Sequence, residues 1–148
     1  MQQMIYIEDL KAWQKEFAFS IDIPIRFSET DMFGHVNNTS AFIYFEEARI
    51  EFMKHKGLFT QIKDPETVPV VADIQCDYHE PIYFGEIIKL YVKANSVGNS
   101  SMDLHYMALK ENGNLCLTGR GRMVNVDPQT GKPQEITEDV KQKLLENN

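Results

Sequence analysis

The sequence is poor in cysteine, in positive charge and in long apolar runs, and each shortage excludes a class of protein. Its two cysteines, Cys76 and Cys116, are too few and too far apart for a disulfide framework or a zinc site, so we expect buried free thiols and a cytoplasmic location. Fifteen lysines and arginines against 22 aspartates and glutamates give a net charge of -7, which argues against nucleic-acid binding. No stretch approaches the roughly 20 apolar residues of a membrane span, and the segment up to Trp13 lacks the apolar core of a signal peptide.

What the sequence does contain is typical of one globular domain. It has 148 residues, of which 43% are hydrophobic and 25% charged, enough to bury a core. We therefore predict a single domain over residues 1–148, with residues 1–15 as an N-terminal extension. The spacing of Ile7, Leu10 and Trp13 favours a short helix in that extension. Residues 134–148 are predicted to contain a C-terminal helix that Thr137 caps.

One long helix is predicted in the middle of the chain. Good N-cap residues at positions 37–40 place its start close to Asn38, and cations followed by Gly57 place its end near Lys56. Apolar side chains cover most of its circumference, so we expect a helix embedded in a sheet. The uninterrupted polar strip is narrow and consists of Glu47, Glu51 and Lys54.

Alternating apolar and polar side chains predict five strands. The first lies within residues 17–27, where Pro24 indicates an edge position or a bulge. After a polar loop from Phe59 to Pro69, four further strands are predicted as an antiparallel meander, with Asn112-Gly113 as a hairpin turn. Gly119 and Gly121 on the inner face of the last strand would let another backbone approach closely, as a helix that crosses a sheet does. The simplest packing is an α+β fold in which the antiparallel sheet curls around the helix.

The start of the long helix is the candidate for chemistry. A helix N-terminus offers unpaired backbone N–H groups and partial positive charge, which can hold a developing oxyanion. Asp31, Gly34 and His35 come directly before it. A carboxylate beside amide donors suits hydrolysis of an activated acyl group. From the residues alone, an aspartate that serves as a cap or turn residue explains the pattern as well.

Two motifs in this region resemble a known family. Residues 29–38, Glu-Thr-Asp-Met-Phe-Gly-His-Val-Asn-Asn, and residues 45–49, Phe-Glu-Glu-Ala-Arg, are similar to the signature of the 4-hydroxybenzoyl-CoA thioesterase family. The turn over residues 81–86 also looks like that family's connection between strands. The resemblance covers residues 18–128 and implies the hotdog fold, a five-stranded antiparallel sheet wrapped around one long helix. It also implies dimers that often assemble into tetramers.

The resemblance further implies roles for individual residues. Asp31 would be the catalytic nucleophile or general base, and the backbone N–H of Asn38 would polarise the thioester carbonyl. Glu29 stands where the family usually has aspartate, a position that is not the catalytic carboxylate. The expected activity is hydrolysis of an acyl- or aryl-CoA thioester, with coenzyme A entering as part of the substrate and with no cofactor or metal. Residues predicted to bind the substrate are Gly34, His35, Val36, Asn37 and Glu46.

Several side chains keep a second interpretation. His35 is either a catalytic or pocket residue or a residue that orders the loop. Glu46, inside the apolar arc of the helix, either lines the site or pairs with Arg49 one turn away. Cys116 has no predicted base beside it. Four outward-facing cations are interpreted as solvated surface charge, with contact to CoA phosphates as the alternative: Lys89, Lys93, Arg120 and Arg122.

Two other functions are compatible with the sequence. One is a hotdog dehydratase that acts on acyl thioesters, with His35 and a carboxylate as the acid–base pair. The other is an acyl-CoA-binding module without turnover. We expect an oligomer, a dimer or a tetramer, with neither nucleic acid nor membrane as a partner.

Overall fold

The computed structural model describes residues 4–58 and 66–147 of the chain, so most of the loop predicted between Phe59 and Pro69 lies outside the described residues. The described elements follow one another as α1 (Leu10–Lys15), β1 (Phe19–Pro24), one 3₁₀ turn (Phe27–Glu29), α2 (Asn38–His55), β2 (Val68–Tyr78), β3 (Ile87–Val97), β4 (Ser101–Leu109), β5 (Leu115–Val126) and α3 (Glu138–Leu145). None of the described helices is long and apolar enough to cross a membrane.

The five strands form one antiparallel sheet in the order β1-β3-β4-β5-β2, which confirms the predicted α+β architecture. β1 lies at one edge of the sheet and ends at Pro24, where a residue without an N–H group is tolerated. The predicted hairpin turn joins β4 to β5, with Gly113 at a φ of 88°. β2 forms the other edge, and one of its long sides is open to solvent.

The path from β2 to β3 differs from the predicted meander. β2 pairs with β5 and not with β3. Residues 79–86 therefore connect the edge strand β2 to β3, which lies next to the opposite edge strand β1. The segment before α2 anchors this connection, because the Val36 N–H donates to the Ile82 carbonyl oxygen at 2.7 Å. His35 also forms an isolated antiparallel bridge with Tyr83. A contact between distant parts of the chain therefore replaces the hairpin.

Helix α2 lies against the inner face of the sheet, as predicted. Its cap is Asn37, and its end at His55 agrees with the predicted end within one residue. The predicted apolar stripe is fully buried and consists of Ala41, Phe45, Ala48 and Phe52. The Phe45 ring stacks on the Tyr106 ring of β4 with centroids 4.4 Å apart. The helix is less enclosed than its pattern suggests, since Ile43 is 60% exposed in the single chain.

The two glycines of β5 have different neighbours. A Cβ atom on Gly119 would lie 2.5 Å from the Phe45 ring and 2.8 Å from the Gln75 carbonyl oxygen, so this glycine admits the helix as predicted. A Cβ atom on Gly121 would instead meet the carbonyl oxygen of Asp73 on β2 at 2.9 Å. Gly121 therefore makes room for the backbone of the neighbouring strand, so the backbone that approaches this second glycine closely is that of β2.

The N-terminal segment covers the outer face of the sheet. Residues that share a second apolar cluster there are Met4, Ile7, Trp13, Phe17, Met107 and Leu115. Within it the Trp13 Nε1–H donates to Nδ1 of His105 at 2.9 Å, so Nε2 of His105 carries the proton that it shares with Asp103 at 2.9 Å. Burial lowers the pKa of His105 to about 4, against a smaller opposite effect of Asp103.

The contacts of the outer face correct the prediction for two of the four outward-facing cations, whereas Lys89 and Arg122 are exposed as predicted. Lys93 is buried under the N-terminal segment, where its Nζ contacts the Glu16 carboxylate and the Asn95 side chain. Arg120 forms ion pairs with Asp103 and Asp73. Neither side chain is the solvated charge that strand alternation predicted, because the pattern on one strand does not show what packs above it.

Candidate active site

A tight loop over residues 30–37, here called the Asp31 loop, leads into α2. Oδ1 of Asp31 accepts the backbone N–H of Phe33 at 2.9 Å and that of His35 at 3.2 Å. The Asp31 N–H donates to the His35 carbonyl oxygen at 2.7 Å, and the Gly34 N–H donates to the Asp31 carbonyl oxygen at 3.0 Å. Gly34 has a φ of 79°, a conformation that glycine adopts at little cost. The carboxylate thus shapes its own loop.

The start of α2 is fixed next to this loop. Asn37 caps the helix, because its Oδ1 accepts the Thr39 N–H at 3.0 Å. Its own N–H donates to the Glu29 carbonyl oxygen at 2.8 Å. Asn38 is the first helical residue, so its N–H has no acceptor within the helix. That N–H group remains available to a ligand.

A cavity of about 240 Å³ opens between the Asp31 loop, the end of β2 and the connection to β3. Four of the predicted site residues border it: Asp31, His35, Val36 and Asn38. The remaining walls come from Tyr78, His79, Glu80, Pro81, Ile82 and Leu117. The carboxylate and the helix start therefore face a common space.

Three predicted site residues do not border this cavity. Gly34 and Asn37 shape the loop and the cap beside it. Glu46 lies two turns along α2 with 61% of its side chain exposed, and its Oε2 is 3.5 Å from the Arg49 guanidinium. The expectation that Glu46 is buried among apolar side chains is wrong for the single chain. Of its two interpretations, the pairing with Arg49 is the one that the structure contains.

His35 contributes to the site in two ways. Its backbone closes the Asp31 loop and pairs with Tyr83. Its ring stands perpendicular to the Tyr83 ring, with centroids 4.9 Å apart. In the described part of the chain no hydrogen bond reaches its ring nitrogens. The loop-ordering interpretation therefore has contacts that support it, and the imidazole still borders the cavity.

Tyr78 is the site residue that the sequence analysis missed. Its hydroxyl donates to the Asn38 carbonyl oxygen at 2.6 Å. Burial raises the pKa of Tyr78 to about 12, and the neighbouring Cys76 thiol adds to this shift. The alternation along β2 places Tyr78 on the inner face, but no local pattern shows that it meets a residue 40 positions earlier.

Other groups that could take part in chemistry are engaged elsewhere. Glu29 accepts the Tyr44 hydroxyl at 3.0 Å and pairs with Arg26. Burial of Glu29 acts to raise its pKa, but these hydrogen bonds outweigh that effect and lower it. Burial raises the pKa of both Cys76 and Cys116 to about 12, so neither is a ready nucleophile. Within residues 4–58 and 66–147, no group of three or more histidine, cysteine, aspartate or glutamate side chains could hold a metal ion.

The arrangement fits attack on an activated carbonyl. A carboxylate held by its own loop can act as a nucleophile or can activate water. A free N–H at a helix start can stabilise the oxyanion that forms. Both groups border the same cavity, which also has apolar walls from Val36, Ile82 and Leu117.

The chain is similar to known proteins over most of its length. The family described as the thioesterase-like superfamily matches residues 25–144. The protein YsmA of Bacillus subtilis (strain 168) is 41% identical over 146 residues, which are 98% of each chain. A predicted thioesterase from Bacillus stearothermophilus has a similar structure, with a TM-score of 0.75 and 32% identity over 85% of this chain and 92% of that one. A thioesterase from Thermus thermophilus, solved in complex with coenzyme A and Zn, has a TM-score of 0.73 and 26% identity over 88% of this chain and 94% of that one.

Proposed function

This chain belongs to the thioesterase-like superfamily and is a thioester hydrolase, and we propose that it cleaves an acyl-CoA thioester with Asp31 as its catalytic carboxylate. One observation carries the proposal: Asp31 and the first residue of α2, Asn38, border the same cavity. The products are the free acid and coenzyme A. The complex of the Thermus thermophilus thioesterase with coenzyme A supports the CoA part of the substrate.

The roles follow from the contacts. The Asn38 N–H, without an acceptor in the helix, stabilises the oxyanion on the thioester carbonyl. The Asp31 carboxylate either attacks the carbonyl carbon or removes a proton from the attacking water. In the first path the thiolate leaves and water then cleaves the acyl–aspartyl anhydride. In the second path hydroxide adds directly and the thiolate leaves. In both paths a C–O bond replaces the C–S bond of the thioester, one water is consumed, and a proton from that water passes to the thiolate.

The other predicted residues support these two groups. Gly34 gives the Asp31 loop its left-handed turn, and Asn37 holds the start of α2. His35 and Val36 line the cavity, and we assign them to substrate contact. Glu46 is 61% exposed in the single chain. Its contact with the substrate stays a prediction, and we assign it no part in the chemical step.

We also propose that the chain self-associates through the open edge of β2. Val70 is 43% exposed and Val71 is 42% exposed on this edge strand, although apolar β-branched residues are normally covered. Unpaired strand edges readily accept another strand. A dimer that pairs these edges would place a partner strand beside both valines. The two unpaired thiols support a reducing, cytoplasmic location.

No metal or other cofactor is assigned to the reaction. The carboxylate and the helix start supply the base or nucleophile and the electrophilic assistance, and the described residues offer no cluster of metal ligands. Thiol release should therefore persist after treatment of the enzyme with EDTA.

The experiment that tests the function is a panel of acyl-CoA and aryl-CoA substrates of graded chain length, with thiol release as the readout. The proposal expects release of coenzyme A together with one equivalent of the acid. Loss of water from the acyl group without thiol release would indicate a dehydratase. Tight binding of acyl-CoA with neither reaction would indicate a binding module.

A further inference from the structure

Tyr78 connects the end of β2 to the start of α2. Its hydroxyl donates to the Asn38 carbonyl oxygen at 2.6 Å, a short bond for this pair of groups. In a regular helix that carbonyl also accepts the N–H four residues later, so Tyr78 uses its second lone pair. The bond is therefore additional to the helix and does not replace one of its own bonds.

The bond reaches the helix from the cavity side. A second support comes from Glu29, whose carbonyl oxygen accepts the Asn37 N–H at 2.8 Å and the Ser40 hydroxyl at 3.3 Å. Tyr78, Asn38 and Asp31 all border the cavity. The first turn of α2 is thus held between the Glu29 backbone and the Tyr78 hydroxyl.

Asp31 has a separate support. Its carboxylate is fixed by backbone N–H groups of its own loop, and that loop is tied to the Ile82 carbonyl through Val36. The distance between the Asp31 carboxylate and the Asn38 N–H therefore depends on how two separately anchored segments are aligned. The described contact that ties Asn38 itself to the cavity wall comes from Tyr78.

We propose that Tyr78 is a positioning residue for thioester hydrolysis, because its hydroxyl holds the Asn38 end of α2 at a fixed distance from Asp31. The inference rests on the proposed function. Tyr78 acts through Asn38 and needs no contact with the reacting atoms. An oxyanion donor loses much of its effect when it is displaced by a fraction of an ångström, since its benefit depends on preorganisation.

The state of the hydroxyl fits this role. Tyr78 remains a protonated donor through the neutral and moderately alkaline range, because burial and the nearby Cys76 thiol raise its pKa to about 12. A phenolate could not donate to the Asn38 carbonyl. The positioning effect should thus be constant from pH 6 to pH 10, because even pH 10 lies about two units below the pKa of Tyr78.

The test is Tyr78→Phe, which removes the hydroxyl and keeps the ring. With the best acyl-CoA substrate we expect kcat to fall by about 10- to 100-fold, KM to stay within about 2-fold, and the shape of the pH profile to be unchanged. Tyr91→Phe is the matched control, since Tyr91 lies on the outer face of the sheet against Phe17. It should keep the wild-type kcat.

A second measurement follows the helix start directly. In amide NMR spectra, the Asn38 and Thr39 N–H signals should shift and exchange faster in Tyr78→Phe, and they should be unchanged in Tyr91→Phe. This outcome together with the loss in kcat supports positioning. A loss in kcat that leaves both amides unchanged would overturn it.

Three kinetic results would also overturn the inference. A kcat within about 2-fold of wild type would show that the bond has no catalytic effect. A raised KM with unchanged kcat would show that Tyr78 binds the substrate itself. If the wild-type enzyme releases no thiol from any acyl-CoA, the proposed function fails and this inference fails with it. If the wild type is active and Tyr78→Phe is equally active, only the role of Tyr78 is overturned.

Discussion

Asp31 and His35 bind each other through two hydrogen bonds that close one loop. The Asp31 N–H donates to the His35 carbonyl oxygen at 2.7 Å, and the His35 N–H donates to Oδ1 of Asp31 at 3.2 Å. The proposed catalytic carboxylate is therefore also a structural part of its loop. A variant that keeps an acceptor at this position tests chemistry, whereas a variant that removes it tests both chemistry and folding.

Gly34→Val should lower turnover more than it lowers stability. Gly34 has a φ of 79°, so a β-branched residue there would strain the backbone by about 1–2 kcal/mol or distort the loop that carries Asp31. Gly113→Val is a matched control, because Gly113 has a φ of 88° in the distant β4–β5 turn. Both variants should melt at lower temperature, and the large loss of kcat should be confined to Gly34→Val. Equal losses of kcat in the two would contradict the role of the loop.

Stability should fall between pH 6.5 and pH 4.5 through His105. The pKa of His105 is lowered to about 4 in the folded state, whereas an unfolded histidine has a pKa of about 6.5. Below pH 6.5 the unfolded chain therefore binds a proton that the folded chain does not, so acid favours unfolding by at most about 1.4 kcal/mol per pH unit. Above pH 6.5 the effect is absent.

Urea unfolding at pH 7.5, 6.5 and 5.5 measures this contribution. The groups that face His105 are Trp13, Tyr6, Asp103, Lys93 and Arg120. His105→Gln removes the imidazole and should flatten the curve between pH 6.5 and 5.5. A wild-type slope that persists in this variant would assign the pH dependence to another group, such as His79, whose pKa is also lowered by burial.

Self-association should depend on the β2 edge. We expect the wild-type protein to be a dimer or a tetramer in light scattering at micromolar concentration. Val70→Lys places a charge on an edge strand, which is a device that natural sheets use against pairing, and it should shift the protein toward the monomer. Lys89→Val on β3 is a useful control, because it changes charge away from this edge. A monomeric wild type with an intact fold would contradict the proposal.

Glu46→Gln should have a small effect on turnover. The Glu46 side chain is 61% exposed and 3.5 Å from Arg49, and it does not border the cavity. The Glu46 carboxylate stays in contact with solvent although the Arg49 side chain is only 11% exposed, and we expect the pair to contribute on the order of 1 kcal/mol. We expect kcat within about 3-fold of wild type and a nearly unchanged melting temperature. A Glu46→Gln variant without activity would assign the catalytic role to Glu46 on α2 and not to Asp31.

The elements of this fold could be predicted because their signals are local. Asn37 and its neighbours cap α2, and apolar side chains on one side of β3 mark a half-buried strand. Thr137 caps α3 as predicted. These features depend on a few consecutive residues, and the physical rules for caps and alternation apply to them directly.

What the sequence did not show depends on contacts between distant segments. The pairing of β2 with β5 follows from the whole sheet, and Lys93 is buried because the N-terminal segment folds over it. The same reason hides the Tyr78 contact, since the hydroxyl meets the Asn38 carbonyl only after β2 has taken its place. The family motif pointed to the Asp31 loop as the candidate site. The residues that line the rest of the cavity, such as Tyr78 and Ile82, became apparent only from the structure.

The most direct test of the account is the steady-state kinetics of Asp31→Asn. The asparagine Oδ1 can still accept the Phe33 and His35 N–H groups that hold Asp31, so the loop should keep its shape while the carboxylate is lost. We expect kcat to fall on the order of 10²-fold or more, about 2.7 kcal/mol of barrier, with KM and the melting temperature nearly unchanged. An Asp31→Asn variant that folds normally and keeps the wild-type kcat would contradict the assignment of Asp31 as the catalytic carboxylate.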